Sequence, residues 1–326
     1  MILAVTPAIP HLVEVANYLT TYLSDNDLIT PFNRLGWFYE GQGFYEQAEP
    51  WLKQCLATTQ VRFGFKHPHV AFSLNELAEL YHLQGRYSKA EELYLQALEL
   101  RQSLFGAEHT DVATCLNNLG ELYKLQGRYS EAEELYLQAL EQRQSLFGAE
   151  HTRVAESLNN LATLYNIQSR YSEAEPLLMQ ALAIWKGLLG EEHPRVATCL
   201  NNLAYSYSGQ GRYSEAEPLY ERTLILKKHL LGEDHPGVAI SLKNLAKLYE
   251  SQGRYSEAQT SYVEALVIFE QRLGFAHPNT VIVRKSLTNC LKQSLCEGRA
   301  NFASLPNNPS VRAVLAEVQA SLEQSE

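Results

Sequence analysis

Six histidines recur at one spacing: His67, His109, His151, His193, His235 and His277 each stand 42 residues after the last. Histidine is the commonest metal ligand and a ready proton carrier near neutral pH, so a repeated set suggests a metal centre. Geometry opposes it. Successive copies lie a helix pair apart, on the order of 10 Å or more, whereas zinc ligands converge at about 2 Å from one ion. The expected role is local, a loop imidazole that caps the helix after it. The recurring "GRYSEAE" stretch offers carboxylates such as Glu131 and Glu173. Nothing singles out one copy, so bracing a hairpin or meeting solvent suits them better than acid–base work. There is no nucleophile elbow, phosphate loop or zinc spacing. The chemistry-bearing residues therefore predict no catalytic residue, metal or cofactor, and no enzyme.

The unusual polar feature is a pair of carboxamides. "LNNL" occurs at Leu116–Leu119, Leu158–Leu161 and Leu200–Leu203. Asparagine is about 0.5 kcal/mol worse than alanine inside a helix, because its amide competes with the backbone for hydrogen bonds. An amide carries both a donor and an acceptor, which suits recognition of another backbone or a bridge between neighbouring helices.

The elements that position these residues follow from the same period. Tyr45, Tyr87, Tyr129, Tyr171, Tyr213 and Tyr255 are spaced by 42, and so are Gly64, Gly106, Gly148, Gly190, Gly232 and Gly274. Each unit holds two helical patterns. In one unit, the first runs from about Val154 to Ile167, with Leu158, Leu161, Ala162 and Tyr165 forming an apolar stripe. It stops at "QSR" here and at "QGR" elsewhere, as helices often stop at glycine. The second is expected to start with Ser172 as N-cap and Glu175 as the far half of a capping box, with Pro176 in the first turn. It ends at Gly190. A hairpin of this kind cannot bury its stripe alone, so neighbours must stack. Residues 8–23 read as an N-terminal capping helix with Leu12, Val15, Ala16 and Leu19 on one face. Residues 279–295 read as a final unpaired helix. After the turn-rich "GRANFASLPNNPS", residues 309–324 carry Val311, Val314, Leu315, Val318 and Leu322 on one face, as a cap or as a tethered segment folding onto a groove.

Composition narrows the partners. The chain has 326 residues, a net charge of −10 and 45% hydrophobic residues. It is not a disordered polypeptide. The charge and the lack of a basic stripe oppose nucleic-acid binding. No apolar run approaches the roughly 18 to 20 residues of a membrane span, and the apolar start lacks a basic n-region. Five cysteines, Cys55, Cys115, Cys199, Cys290 and Cys296, have no framework spacing. They predict free thiols in a reducing, cytoplasmic setting.

The repeat resembles the tetratricopeptide repeat. Leu158, Leu161, Ala162, Tyr165, Ala174, Leu178 and Ala181 fall on that repeat's signature positions, although leucine replaces its tryptophan and its terminal proline is absent. The period of 42 exceeds the usual length of about 34. The longer variant, with "LNNLA" and "QGRYSEAE", is similar to the repeats of kinesin light chains and related prokaryotic proteins. The likeness covers about residues 29–295. It implies an all-α, right-handed superhelical solenoid of hairpins with terminal capping helices: 1–28 an N-terminal cap, 29–295 six hairpins plus a final helix, and 296–326 a linker and C-terminal amphipathic helix. There is no heptad run of the kind that joins kinesin light chains to their heavy chain. The resemblance therefore implies the cargo-binding architecture without the motor-binding part.

In such a solenoid the first helices line the concave side. At about 100° per residue, Asn160 lies about 200° from Leu158, nearly opposite the core, and Asn159 lies on the flank. The second asparagine of each pair, Asn118, Asn160, Asn202 and Asn244, is therefore expected in a peptide-binding groove. The first asparagine (Asn75, Asn117, Asn159, Asn201) is left to bridge helices or shape the wall. The alternative is a hydrogen-bond ladder between repeats with no ligand. The same face carries Glu76, Glu79, Glu121, Glu156 and Thr163. Leu83, Leu125 and Ile167 form an apolar row. Trp37, Phe72 and Tyr205 offer anchors, and Lys243 and Lys247 follow toward the C-terminal end. The expected function is a non-catalytic scaffold or adaptor whose partner is a protein or peptide, extended or shortly helical, and basic where it meets the glutamates. A self-associating structural solenoid, a homodimer through Trp37 or the terminal helices, is the alternative.

Overall fold

The structure is a computed structural model and describes residues 6–298 and 309–323. Among these residues there are fifteen α-helices and no strands. A short helix α1 (Ile9–Glu14) comes first. Six hairpins follow: α2/α3 (Thr30–Glu40, Tyr45–Phe63), α4/α5 (Pro68–Leu83, Tyr87–Phe105), α6/α7 (Thr110–Leu125, Tyr129–Phe147), α8/α9 (Thr152–Ile167, Tyr171–Leu189), α10/α11 (Pro194–Gly209, Tyr213–Leu231) and α12/α13 (Pro236–Ser251, Tyr255–Leu273). Helices α14 (Pro278–Cys296) and α15 (Pro309–Glu323) complete the order.

The chain divides into two compact units, Met1–Leu164 and Tyr165–Glu326. In the first, α2 packs on α3, α4 on α5 and α6 on α7, and α3 also meets α4 and α5 meets α6. In the second, α10/α11 and α12/α13 pack in the same way, α13 meets α14, and α15 lies on α14 and α13. Alanines mark the closest approaches: Ala78, Ala90 and Ala97 in one unit, and Ala246, Ala258 and Ala265 in the other, are fully buried. Gly120 stands where most copies have alanine. A Cβ there would come within 2.9 Å of the Tyr136 ring, and the buried Tyr136 hydroxyl donates to Glu121 at 2.8 Å.

The turns follow from local chemistry. Each repeated histidine accepts, through Nδ1, the backbone N–H two residues on: His67 from His69 at 3.2 Å, His109 from Asp111 at 3.1 Å and His193 from Arg195 at 3.1 Å, for example. This satisfies an orphan donor of the first turn. First helices end in a left-handed residue, such as Gly85 at φ 72°. There Arg86 N–H reaches Tyr81 C=O at 2.8 Å and Gly85 N–H reaches His82 C=O at 2.9 Å, the two bonds of a Schellman motif. Ser169 takes the glycine's place at φ 60°.

Second helices start two residues earlier than expected. The N-cap of α9 is Arg170, with no side-chain cap, and Tyr171 is the first helical residue. Arg170 N–H is already tied to Tyr165 C=O at 2.8 Å, so the chain re-enters the helix before Ser172 can cap it. Glu175 does not close a capping box either; it accepts from Arg212 of the next hairpin at 2.7 Å. The same brace joins Glu49 to Arg86, Glu91 to Arg128 and Glu217 to Arg254 at 2.6 to 2.8 Å. Each guanidinium also lies over a tyrosine ring, as Arg128 does over Tyr123 at 3.7 Å.

The ends depart from the expected regular caps. Residues 8–23 do not form one helix: α1 passes into a π turn (Val15–Leu19) and a 3-10 turn (Thr20–Tyr22). Of the expected stripe only Ala16 is buried, so little packing supports a longer helix. At the other end, Val311, Val314 and Val318 enter the same core as α13 and α14, which makes α15 a cap on that pair. The side chain of Leu322 and most of the turn-rich segment lie outside the described residues.

Candidate functional site

The asparagines form a ladder. Asn118 Nδ2 donates to Asn75 Oδ1 at 3.2 Å, and Asn160 Nδ2 to Asn117 Oδ1 at 3.0 Å. In the second unit Asn244 Nδ2 donates to Asn201 Oδ1 at 2.9 Å. The acceptors Asn75 and Asn117 are buried, as is Asn159, whereas Asn118, Asn160, Asn202 and Asn244 are half-buried. The expectation that the second carboxamide has both its donor and its acceptor to spare is therefore corrected. One N–H is committed to the preceding repeat, because two polar groups on facing helices satisfy each other before any ligand arrives. The acceptor Oδ1 of Asn118, Asn160 and Asn244 remains.

The other side chains of this face are accessible but unequally engaged. Leu125, Ile167, Tyr205 and Lys247 are exposed, and Glu121, Glu156 and Thr163 are half-buried. Glu121 accepts from Lys124 at 2.7 Å as well as from Tyr136. Glu156 faces the buried Arg143 at 3.4 Å. Thr163 Oγ1 donates to Asn159 C=O at 2.7 Å. The charges of Glu121 and Glu156 are thus balanced in place.

Acid also gathers nearer the start of the first unit. Trp37 Nε1 donates to Glu76 Oε2 at 2.7 Å, and Glu40 stands one turn beyond Trp37. Burial, and then the charges of Glu76 and Glu79, raise the Glu40 carboxyl to about 7. Burial also raises Glu76 and Glu79, with Glu79 adding its charge to Glu76. Glu40 was not among the residues expected from the stripe, although it follows Trp37 by three positions and its placement on that face is legible from helical spacing.

The second unit holds a pocket of about 340 Å³ lined by Tyr171, Tyr205, Gly209, Lys243, Asn244 and Lys247 among others. Gly209 occupies the position filled by Leu83, Leu125 and Ile167 in earlier copies. A Cβ there would come within 2.2 Å of the Tyr171 ring, so the glycine lets Tyr171 lean over the first-helix face. Tyr171 and Tyr205 meet edge-on with ring centroids 6.4 Å apart. Burial, and then the neighbouring Lys247, lower the Lys243 ammonium. Tyr171 was missed from sequence because its motif position reads as a hairpin residue in every copy; the glycine at 209 is the signal that would have found it.

Burial pushes the Cys55 thiol up to about 11 and those of Cys199 and Cys290 up to about 12. All three are buried free thiols, and Cys296 is an exposed one. Among the described residues no group of three metal-ligating side chains converges, and no helix is long and apolar enough to cross a membrane.

Comparison with known proteins agrees with the repeated hairpins. The tetratricopeptide repeat model matches overlapping stretches at residues 27–103, 73–145, 121–186, 153–229 and 210–271. No curated protein matches the chain. Among solved structures, BtubC (BKLC) from P. vanneervenii is 26% identical, with 72% of this chain and 94% of that one covered and a TM-score of 0.60. A kinesin light chain with nearly identical TPR-like repeats from Podosopora anserina is 28% identical, with coverages of 64% and 99% and a TM-score of 0.53. The Cut9–Hcn1 hetero-tetramer of the APC/C, at 16% identity with 87% of this chain and 46% of that chain covered and a TM-score of 0.59, shares the fold alone. With its repeated hairpins and family matches running from residue 27 to 271, the chain belongs to the tetratricopeptide repeat family.

Proposed function

We propose that this protein is a non-catalytic scaffold that holds a peptide segment of a partner protein against the exposed face of its first helices. Tetratricopeptide repeats generally serve protein interaction, and the likeness to kinesin light chain structures favours an adaptor. The observation that carries the reading is the half-used carboxamide. In Asn118, Asn160 and Asn244 the amide nitrogen is anchored by the preceding repeat, which orients an oxygen that can accept a backbone N–H from an extended peptide. Beside it, Leu83 and Leu125 are 46% and 50% exposed and supply apolar anchors. The acid around Glu40 favours basic residues of the ligand on the first unit, and the Tyr171–Tyr205–Lys243 pocket favours a different side chain on the second. Free buried cysteines suit a reducing cytoplasm.

The test uses peptides selected by display on the full chain, with affinities measured against wild type and a Leu83→Glu/Leu125→Glu variant. Both leucines are exposed, so helicity and melting should not change. Affinity is expected to fall at least tenfold, roughly the loss of one buried anchor. Unchanged affinity on a folded variant removes the proposal. A second reading, self-association, rests on Tyr22, Val61 and Phe65, which are 84%, 89% and 74% exposed near the amino-terminal end. Sedimentation at rising concentration separates the two, since an adaptor stays monomeric and a self-associating solenoid does not.

A further inference from the structure

Arg128, Arg170, Arg212 and Arg254 each direct Nε and Nη2 at the two oxygens of the glutamate three residues on, at 2.5 to 2.8 Å. The guanidinium fork in these four copies is filled by a carboxylate of the chain itself. Arg86 is the fifth copy, and its inner edge is held like that of its sisters. Nη1 donates to Glu49 at 2.7 Å and to Gln84 at 2.8 Å, and the group lies 4.2 Å from the Tyr81 ring centroid. Three residues on stands Lys89 in place of glutamate. Nε and Nη2 of Arg86 consequently have no carboxylate. Lys89 Nζ lies 5.7 Å from the same tyrosine ring. The site therefore carries an added positive charge where its sisters carry a negative one.

Arg86 borders an open pocket of about 600 Å³ that is also lined by Phe44, Glu46 and Glu49. Glu49 is occupied by Lys53 at 2.7 Å and by the inner edge of Arg86. Phe44 is half exposed and offers an apolar surface at the pocket wall.

We propose that the α4–α5 turn is a carboxylate receptor: the open fork of Arg86 takes an aspartate or glutamate side chain of a partner polypeptide in the bidentate geometry its four sisters use internally. Lys89 adds the charge that draws the acid in. The site lies on the hairpin turn rather than on the first-helix face, so its fate and that of the peptide-face reading are decided separately.

The experiment follows the Arg Nε–H resonances of the 15N-labelled full chain, with Arg86 assigned through Arg86→Lys. The probe is the peptide acetyl-Glu-Glu-Glu-amide, and inorganic phosphate is titrated in a separate arm. A saturable shift at Arg86, with Arg128 unmoved, is expected. Lys89→Glu recreates the sister sequence and fills the fork from within, so it should fold normally and weaken peptide binding at least about tenfold. The proposal is overturned by no saturable shift at Arg86, by equal binding to Lys89→Glu, by an equal response at Arg128, or by saturation with phosphate but not with the peptide.

Discussion

Glu40 shows how a single side chain reports its surroundings. Its carboxyl is raised to about 7 by burial first and by Glu76 and Glu79 second. A carboxyl raised in the folded state holds its proton more tightly there than in the unfolded chain, whose value is near 4.3. Its contribution to stability is therefore present below that value and is lost as pH rises from about 4.3 to about 7. Glu79→Gln removes one of the two charges and leaves the burial. Carboxyl 13C titration should show the Glu40 midpoint falling below 7 without reaching the free value, and the variant should be more stable than wild type at pH 8. A midpoint unmoved by the substitution would show that Glu79 does not act on Glu40.

Helices are joined by two devices that a propensity scale would score as faults or ignore. One is the asparagine ladder. Asn117→Ala deletes the buried acceptor of Asn160 and leaves a half-buried donor unpaired, at a cost of about 1 kcal/mol. A lowered urea midpoint with unchanged far-UV circular dichroism is expected, and a midpoint equal to that of wild type would mean that the ladder contributes nothing. The ladder answers why two poor helix formers stand side by side: the cost of each is offset on the neighbouring helix. The other device is the arginine brace. At Glu49, burial would raise the carboxyl, but hydrogen bonds from Lys53 and Gln84 and the charges of Lys53 and Arg86 bring it down to about 2. Its stabilisation is held above about 4.3 and lost as pH falls toward 2, so the Glu49–Arg86 brace should tolerate mild acid.

At the scale of the molecule, stability in a repeat array is a sum of units and their nearest-neighbour contacts. Val314 is fully buried and belongs to the core shared by α13, α14 and α15. Val314→Asp places a charge there and should release α15 from its seat, a loss of several kcal/mol locally. Amide hydrogen exchange should quicken first in α15 and α14, then in α13, with the helices of the first unit unchanged. Uniform acceleration along the chain would show that the array unfolds as one block instead.

The repeat length, the two helices of each unit, their apolar stripes and the capping histidines were all legible without coordinates. They depend on interactions within a few residues, and a period repeated six times averages out the local ambiguities. The accessible face was legible for the same reason, since 3.6 residues per turn places Asn160 opposite Leu158 wherever the helix packs. Tertiary structure alone decided what those side chains do. Which asparagine donates to which, that Glu175 braces Arg212 instead of capping its own helix, that Gly209 admits Tyr171, and that the last helix seats on α13 and α14 are all contacts between residues of different elements. Their partners are chosen by distances in space, which no periodicity along the chain encodes.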